Sequence, residues 1–258
     1  MKKFLTLLLV VFVCTNCSDD VDDIVNATQI NPVFSFTHNW EGIPVTNANF
    51  NSVQYTNANG EMLSIERLRY VISDIVFTTT SNEVLELDAY NLVDVTNNNN
   101  LVFQVPFTIP IGNYNNVSFT FGFDNEDNSE NYADLNSASF NVPDMLGGGY
   151  HYMQFDGKYL DASNSEAPFN YHAIRAVDNP GMSPTFPQDT FFTVNLGAVN
   201  ITGETTFNIE VNLAEWFQNP NTWDLNQLNT VLMPNSAAQI QMFQNGQSVF
   251  SLGSVSQQ

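Results

Sequence analysis

Only three histidines occur in this sequence, and each falls in a run of strand-forming residues. His38 stands in Val33-Phe34-Ser35-Phe36-Thr37-His38-Asn39-Trp40, His151 in Tyr150-His151-Tyr152-Met153, and His172 in Asn170-Tyr171-His172-Ala173-Ile174, beside Arg175. A neutral imidazole ligates copper, zinc or nickel, and it serves equally as a hydrogen-bonded group inside a core. Side chains two apart on a strand share a face, so Phe34, Phe36, His38 and Trp40 form one row. By the same rule His151 is expected to share a face with Met153 and Phe155. Spacing alone does not bring the three histidines together.

The remaining polar constellations offer weaker chemistry. Asp124, Glu126, Asn128 and Glu130 place oxygen atoms at alternating positions of a polar loop, a candidate calcium site without the glycine turn or terminal glutamate of an EF-hand. Asp144 and Glu166 lie near the histidine segments as a candidate carboxylate pair. No Gly-x-Ser-x-Gly or His-Glu-x-x-His motif accompanies them, so no catalytic residue and no enzyme activity is expected. Tyr150 and Tyr152, if exposed, would suit a glycan-binding or adhesion module with structural histidines; packed between sheets, they would be core.

The elements that must position these groups begin after a leader. Lys2 and Lys3 precede Phe4 to Val13, apolar apart from Thr6 and too short to span a bilayer, and Cys17 follows at the end of that run. Residues 1–16 are expected to be a lipoprotein signal peptide and Cys17 the lipidated residue. Residues 17–32 would be an acidic linker and 33–258 a single β domain. Ser18-Asp19-Asp20 is similar to the acidic export tags of Bacteroidetes-type surface lipoproteins, and it also reads as a solvated linker. The expected address is the outer membrane or cell surface, held by the lipid anchor, with a periplasm-facing orientation also open.

Cleavage before Cys17 leaves no disulfide and no free thiolate, so a thiolate zinc or blue-copper site is excluded. It also leaves Arg67, Arg69, Lys158 and Arg175, four basic residues against all 27 acidic ones, a net charge of −23. A nucleic-acid partner is excluded by that balance, since phosphate binding needs a basic face.

Short alternating segments rich in Phe, Val, Ile, Tyr and Thr, bounded by Asn, Gly and Pro, predict an all-β fold, an antiparallel sandwich or barrel-like domain. Val33–Trp40 is one strand, and Asn59-Gly60 turns a hairpin. Arg69–Thr79 and Val84–Val95 form another hairpin, although Arg67–Ile75 also fits helical spacing. Val117–Phe123, Tyr150–Phe155, Phe169–Ala176, Thr190–Leu196 and Thr205–Val211 complete the extended set. Leu213–Phe217, Leu225–Leu232 and Ala237–Phe243 read as short helices near the C-terminus.

In order along the chain, Phe36-Thr37-His38-Asn39-Trp40-Glu41-Gly42, Gln54 to Glu61, Ser64 to Asp74, Gly148-Gly149-Tyr150-His151-Tyr152-Met153 with Asp156-Gly157, Tyr171-His172, and Trp216-Phe217 near Asn219-Pro220 resemble the MbnP-type copper-binding proteins. The similarity spans about Val33 to Phe250. It implies a copper-binding protein of copper acquisition or homeostasis, with metal held by histidines and by a tryptophan oxidised to kynurenine. It implies His38 and His151 as leading ligands, His172 as a third ligand or supporting group, and Trp40 as the modified residue. A di-haem cytochrome c peroxidase-like partner would perform the oxidation. The loop Asp144 to Tyr150 lacks the tryptophan that many relatives carry there.

Overall fold

A computed structural model describes residues 28–258; the predicted leader, Cys17 and most of the acidic linker lie outside the described residues. Sixteen strands are described: β1 (Gln29–Ile30), β2 (Val33–Trp40), β3 (Ile43–Val45), β4 (Tyr55–Thr56), β5 (Met62–Leu63), β6 (Arg67–Thr79), β7 (Val84–Leu87), β8 (Asn91–Asp94), β9 (Val102–Gln104), β10 (Ile109–Pro110), β11 (Gly112–Phe121), β12 (Met153–Leu160), β13 (Glu166–Ala173), β14 (Phe192–Ile201), β15 (Thr205–Asn212) and β16 (Phe250–Gln257). Nine form one sheet in the order β14-β11-β6-β12-β5-β4, with β13 beside β12 and with β7 and β8 beside β6. Five form a second, β16-β15-β2-β3 with β9 beside β2, while β1 pairs with β10. The one parallel pairing among the described strands is β2 with β15, and the fold is the expected all-β sandwich.

The alternation read from the sequence builds the core. Phe34, Phe36, His38 and Trp40 all turn inward from β2. Phe34 and Phe36 meet Phe119 of β11 with ring centroids 6.4 and 6.0 Å apart, and Phe36 meets Tyr70 of β6 at 6.1 Å. Phe207 of β15 packs on Phe77 of β6, so aromatic rings bridge the two sheets along their length. Burying each such side chain contributes about 1.5–3 kcal/mol, and the row fixes the register of β2, because a one-residue slip would turn it to solvent.

The Asn-Gly hairpin forms as expected: Tyr55 pairs with Leu63 and Gly60 takes a φ of +92°. The other hairpin is interrupted. Asp88-Ala89-Tyr90 breaks the segment after β6 into β7 and β8, which pair with successive parts of the same β6 edge. Arg67–Ile75 is strand from its first residue. Gln29–Ile30, placed in the linker by sequence, pairs with β10 and buries Ile30.

Among the helices, Leu213–Phe217 is a 3-10 turn capped by Asn212, and Ser236–Gly246 is an α-helix whose first turn donates to the Asn235 side chain. Leu225–Leu232 is not helical. There Trp223 is fully buried and its Nε1 donates to Leu228 O at 2.8 Å, while the Asp224 carboxylate accepts the Asn226 N–H, so the segment folds as turns around an anchored indole. No helix among the described residues is long and apolar enough to cross a membrane.

Candidate functional site

Cross-strand register assembles the densest polar cluster around a histidine. On β6, β12 and β13, Arg67, Asp156 and Asn170 stand opposite one another, and Arg69, Gln154 and His172 form the next row of the same parity. Those side chains lie on the outer face of the large sheet. The alternate rows, Leu68-Phe155-Tyr171 and Tyr70-Met153-Ala173, are buried on the inner face.

His172 Nε2 is 2.7 Å from Asp156 Oδ1. The carboxylate can only accept, so Nε2 carries a proton, and in the neutral ring Nδ1 is the nitrogen with the lone pair. Asp156 also accepts from Asn170 Nδ2 at 2.6 Å and from Arg67 Nε. Burial alone would raise the Asp156 carboxyl, but hydrogen bonds from His172, Asn170 and Arg67 hold it at about 2.

His151 reaches the same face by a different route. The chain bends at Tyr152 before β12 begins, so His151 does not share a face with Met153 and Phe155 as the alternation rule predicts. Its backbone N–H donates to Phe140 O, and its Nδ1 lies 2.9 Å from the same carbonyl, which makes Nδ1 the protonated nitrogen. Nε2 is then a lone-pair nitrogen, buried and without a hydrogen-bond partner among the described residues. Burial drives the His151 pKa down to about 4; the Phe140 carbonyl opposes the shift, and His172, Arg67 and Arg69 reinforce it. The His151 and His172 rings meet edge to face, with centroids 5.2 Å apart. The Phe140 ring, 5.4 Å from the Arg69 guanidinium, roofs the cluster.

His38 and Trp40 lie on the other side of that sheet. His38 Nε2 is 3.0 Å from the hydroxyl of inward-facing Tyr70, and burial pushes the imidazole down to about 4. The ring also borders a cavity of about 240 Å³ walled by Phe36, Pro44, Val45, Val95 and Leu101. Trp40 is 3% exposed, stacked on Tyr55 at 5.1 Å, and its Nε1 donates to Thr56 O at 3.1 Å. The structure therefore brings His151 to His172 and keeps both apart from His38 and Trp40. Among the described residues no group of three or more His, Cys, Asp or Glu side chains is placed to hold a metal.

Other expected groups are otherwise engaged. Asp124 Oδ1 accepts from the Glu126 and Asp127 N–H groups and Asn128 Oδ1 from Tyr150 N–H, so two of the four expected calcium donors already have an oxygen bonded to backbone N–H groups. Asp144 sits in a 3-10 turn, and Glu166 pairs with Lys158 at 3.5 Å at the end of β13 remote from His172. Tyr150 and Tyr152 are 3% and 0% exposed, so they form no glycan platform. Sequence reasoning missed Asp156, Arg67 and Arg69; the available signal was a lone aspartate in a strand two residues from Gln154, readable only once its partners are known.

The sequence profile of the MbnP family matches residues 29–234. No curated protein matches. Among solved structures, MbnP from Methylosinus trichosporium aligns with a TM-score of 0.52, covering 76% of this chain and 80% of that one at 11% sequence identity, a likeness of fold.

Proposed function

Because the chain belongs to the MbnP family, we propose that it is a non-enzymatic copper-binding protein of copper acquisition or homeostasis, exported as a lipoprotein anchored through Cys17. The observation that carries the copper reading is the pair of imidazoles on the outer face of the large sheet. His151 presents a buried, unprotonated Nε2 that no group among the described residues satisfies, beside His172, whose Nε2–H is tied to Asp156 so that Nδ1 is the nitrogen left for a ligand. A buried polar atom without a partner costs about 1–3 kcal/mol, and a bound metal ion removes that cost.

The donor set fits copper. Two imidazole nitrogens with no thiolate suit a metal high on the nitrogen affinity order, and the carboxylate beside His172 fixes the orientation of its ring and which nitrogen faces the metal. His151 would hold the ion through Nε2 and His172 through Nδ1, while Asp156, with Arg67 and Asn170, keeps His172 oriented. The negative surface favours arrival of a cation.

Trp40 and His38 stand outside this reading. What supports leaving them out is their burial on the inner face, the Tyr70 hydroxyl on His38 and the Thr56 carbonyl on the Trp40 indole. Oxidation of Trp40 by a di-haem peroxidase would then be a modification of the core and would add no donor atom to the histidine pair. The export half of the proposal rests on the apolar run before Cys17 and the carboxylates behind it.

Competition titration with a chromophoric copper(I) chelator tests the reading. His151→Ala and His172→Ala should each weaken binding by at least about tenfold, roughly 1.4 kcal/mol, while His38→Gln binds as wild type does. Equal affinity of wild type and the His151→Ala variant would overturn it.

A further inference from the structure

Among the described basic side chains, Arg175 is the one with neither an ion pair nor a hydrogen-bond partner. Arg67 meets Asp156, Lys158 meets Glu66 at 3.6 Å and Glu166 at 3.5 Å, and Arg69 donates to Gln154 Oε1 at 2.7 Å. For Arg175, no hydrogen bond or ion pair is found among the described residues, and its Nε is buried without a partner. This occurs in a chain whose acidic residues number 27. The guanidinium is nevertheless held in place: its Cζ lies 3.6 Å from the centroid of the Phe186 ring, and Phe186 packs on the small core of Val142, Leu146, Ile174 and Val177. Stacking of this kind fixes the plane of the guanidinium.

Arg175 lines a cavity of about 380 Å³ whose walls include Asn128, Asn131, Asn136, Asn141 and Tyr150. The amides are oriented by a chain of hydrogen bonds. Asn141 Nδ2 donates to Asn136 Oδ1 at 2.6 Å, Asn136 Nδ2 donates to Asn131 Oδ1 at 2.7 Å, and the Tyr150 hydroxyl donates to Asn136 Oδ1 at 3.0 Å. Asn128 Oδ1 accepts from Tyr150 N–H at 2.9 Å. This arrangement leaves Nδ2 of Asn128, Nδ2 of Asn131 and Oδ1 of Asn141 without a protein partner among the described residues. The cavity thus offers one fixed cation, two amide donors and an amide acceptor.

We infer that this cavity binds a small hydroxylated monocarboxylate, a sugar acid of the uronate type, with its carboxylate on Arg175 and its hydroxyls on the asparagine amides. A planar guanidinium matches a carboxylate in a two-point fork, and amides that both donate and accept match hydroxyls. Charge disfavours a dianion: the single guanidinium shares the cavity with Glu130, so phosphate would be neutralised less well than a monocarboxylate forked on Arg175. The volume falls in the range of small-molecule sites. The inference does not depend on copper, since the cavity does not include His151 or His172.

Isothermal titration of the copper-free full chain with glucuronate, glucose and inorganic phosphate is the test. Glucuronate should saturate one site, with glucose and phosphate weaker by at least about tenfold. Arg175→Gln should weaken glucuronate by a similar factor while copper binding stays at the wild-type level. Should that variant fail to fold, Asn131→Asp keeps the oxygen that accepts from Asn136 and adds a repelling charge, and it should weaken glucuronate in the same way. Absence of saturable glucuronate binding, equal binding of glucose, or indifference to both substitutions would overturn the inference.

Discussion

Between pH 7.5 and pH 4.5 the folded protein should lose stability through two imidazoles that are buried neutral. His38 is 6% exposed and His151 is 4% exposed, and burial lowers each from 6.5 to about 4. In the unfolded chain each takes its proton near 6.5, whereas the native state refuses it until about 4. Over that window the unfolded state binds more protons, so stability rises with pH. Each histidine's contribution is whole above 6.5 and is lost as pH falls toward 4. At about 1.4 kcal/mol per pH unit, the complete loss is roughly 3 kcal/mol per histidine. His38→Gln isolates one of them, because the amide can still hydrogen-bond the Tyr70 hydroxyl but does not titrate. Urea denaturation of copper-free protein, followed by tryptophan fluorescence at several pH values, measures the difference. The wild type should lose about 2–3 kcal/mol more than the variant across the range, the carboxylates being common to both. Parallel curves would refute the reasoning, since they would mean that the His38 ring is hydrated in the native state.

Three further outcomes follow from the same geometry. Asp156→Ala strands the Arg67, Asn170 and His172 donors and should destabilise the fold by roughly 2–3 kcal/mol at pH 7, discounted because Arg67 is 40% exposed; the wild type should lose its Asp156 contribution as pH falls from 3.8 to about 2, and the variant should lack that step in acid denaturation. Gly157→Ala places a Cβ 1.9 Å from Ser64 O and 2.7 Å from the Phe169 ring, so β12 must shift and thermal unfolding should report a loss of at least ~2 kcal/mol. Cys17→Ala should release the protein from the membrane fraction; unchanged fractionation together with no acyl mass on the wild type would sink the export proposal.

Much of the fold was legible because the alternation rule is local. Phe34, Phe36, His38 and Trp40 declare one buried face within eight residues, and Asn59-Gly60 declares a turn. What was illegible depends on partners distant in sequence. The hydrogen bond between His172 and Asp156 exists because β12 and β13 pair in a register that sets Gln154 opposite His172 and Asp156 opposite Asn170, which neither strand encodes alone. The bend at Tyr152 turns His151 away from the face that simple parity assigns to it. Leu225, Leu228 and Leu232 mimic helical spacing, yet Trp223 anchors them as turns. β16 went unnoticed because Ser251, Gly253, Ser254 and Ser256 dilute its apolar signal, and its place is set by pairing with β15. For the site, the residue types were visible and their grouping was not. Expectation joined His38 to His151, whereas the sheet separates them and joins His151 to His172.

The most direct measurement of the copper reading is the ring-nitrogen NMR spectrum of the three histidines during titration of copper-free protein with copper(I), which is diamagnetic and leaves every signal observable. The account predicts that, as one equivalent is added, Nε2 of His151 and Nδ1 of His172 shift together while both His38 nitrogens stay in place. Shifts at His38 with His151 and His172 silent, or no shift at any of the three, would contradict it.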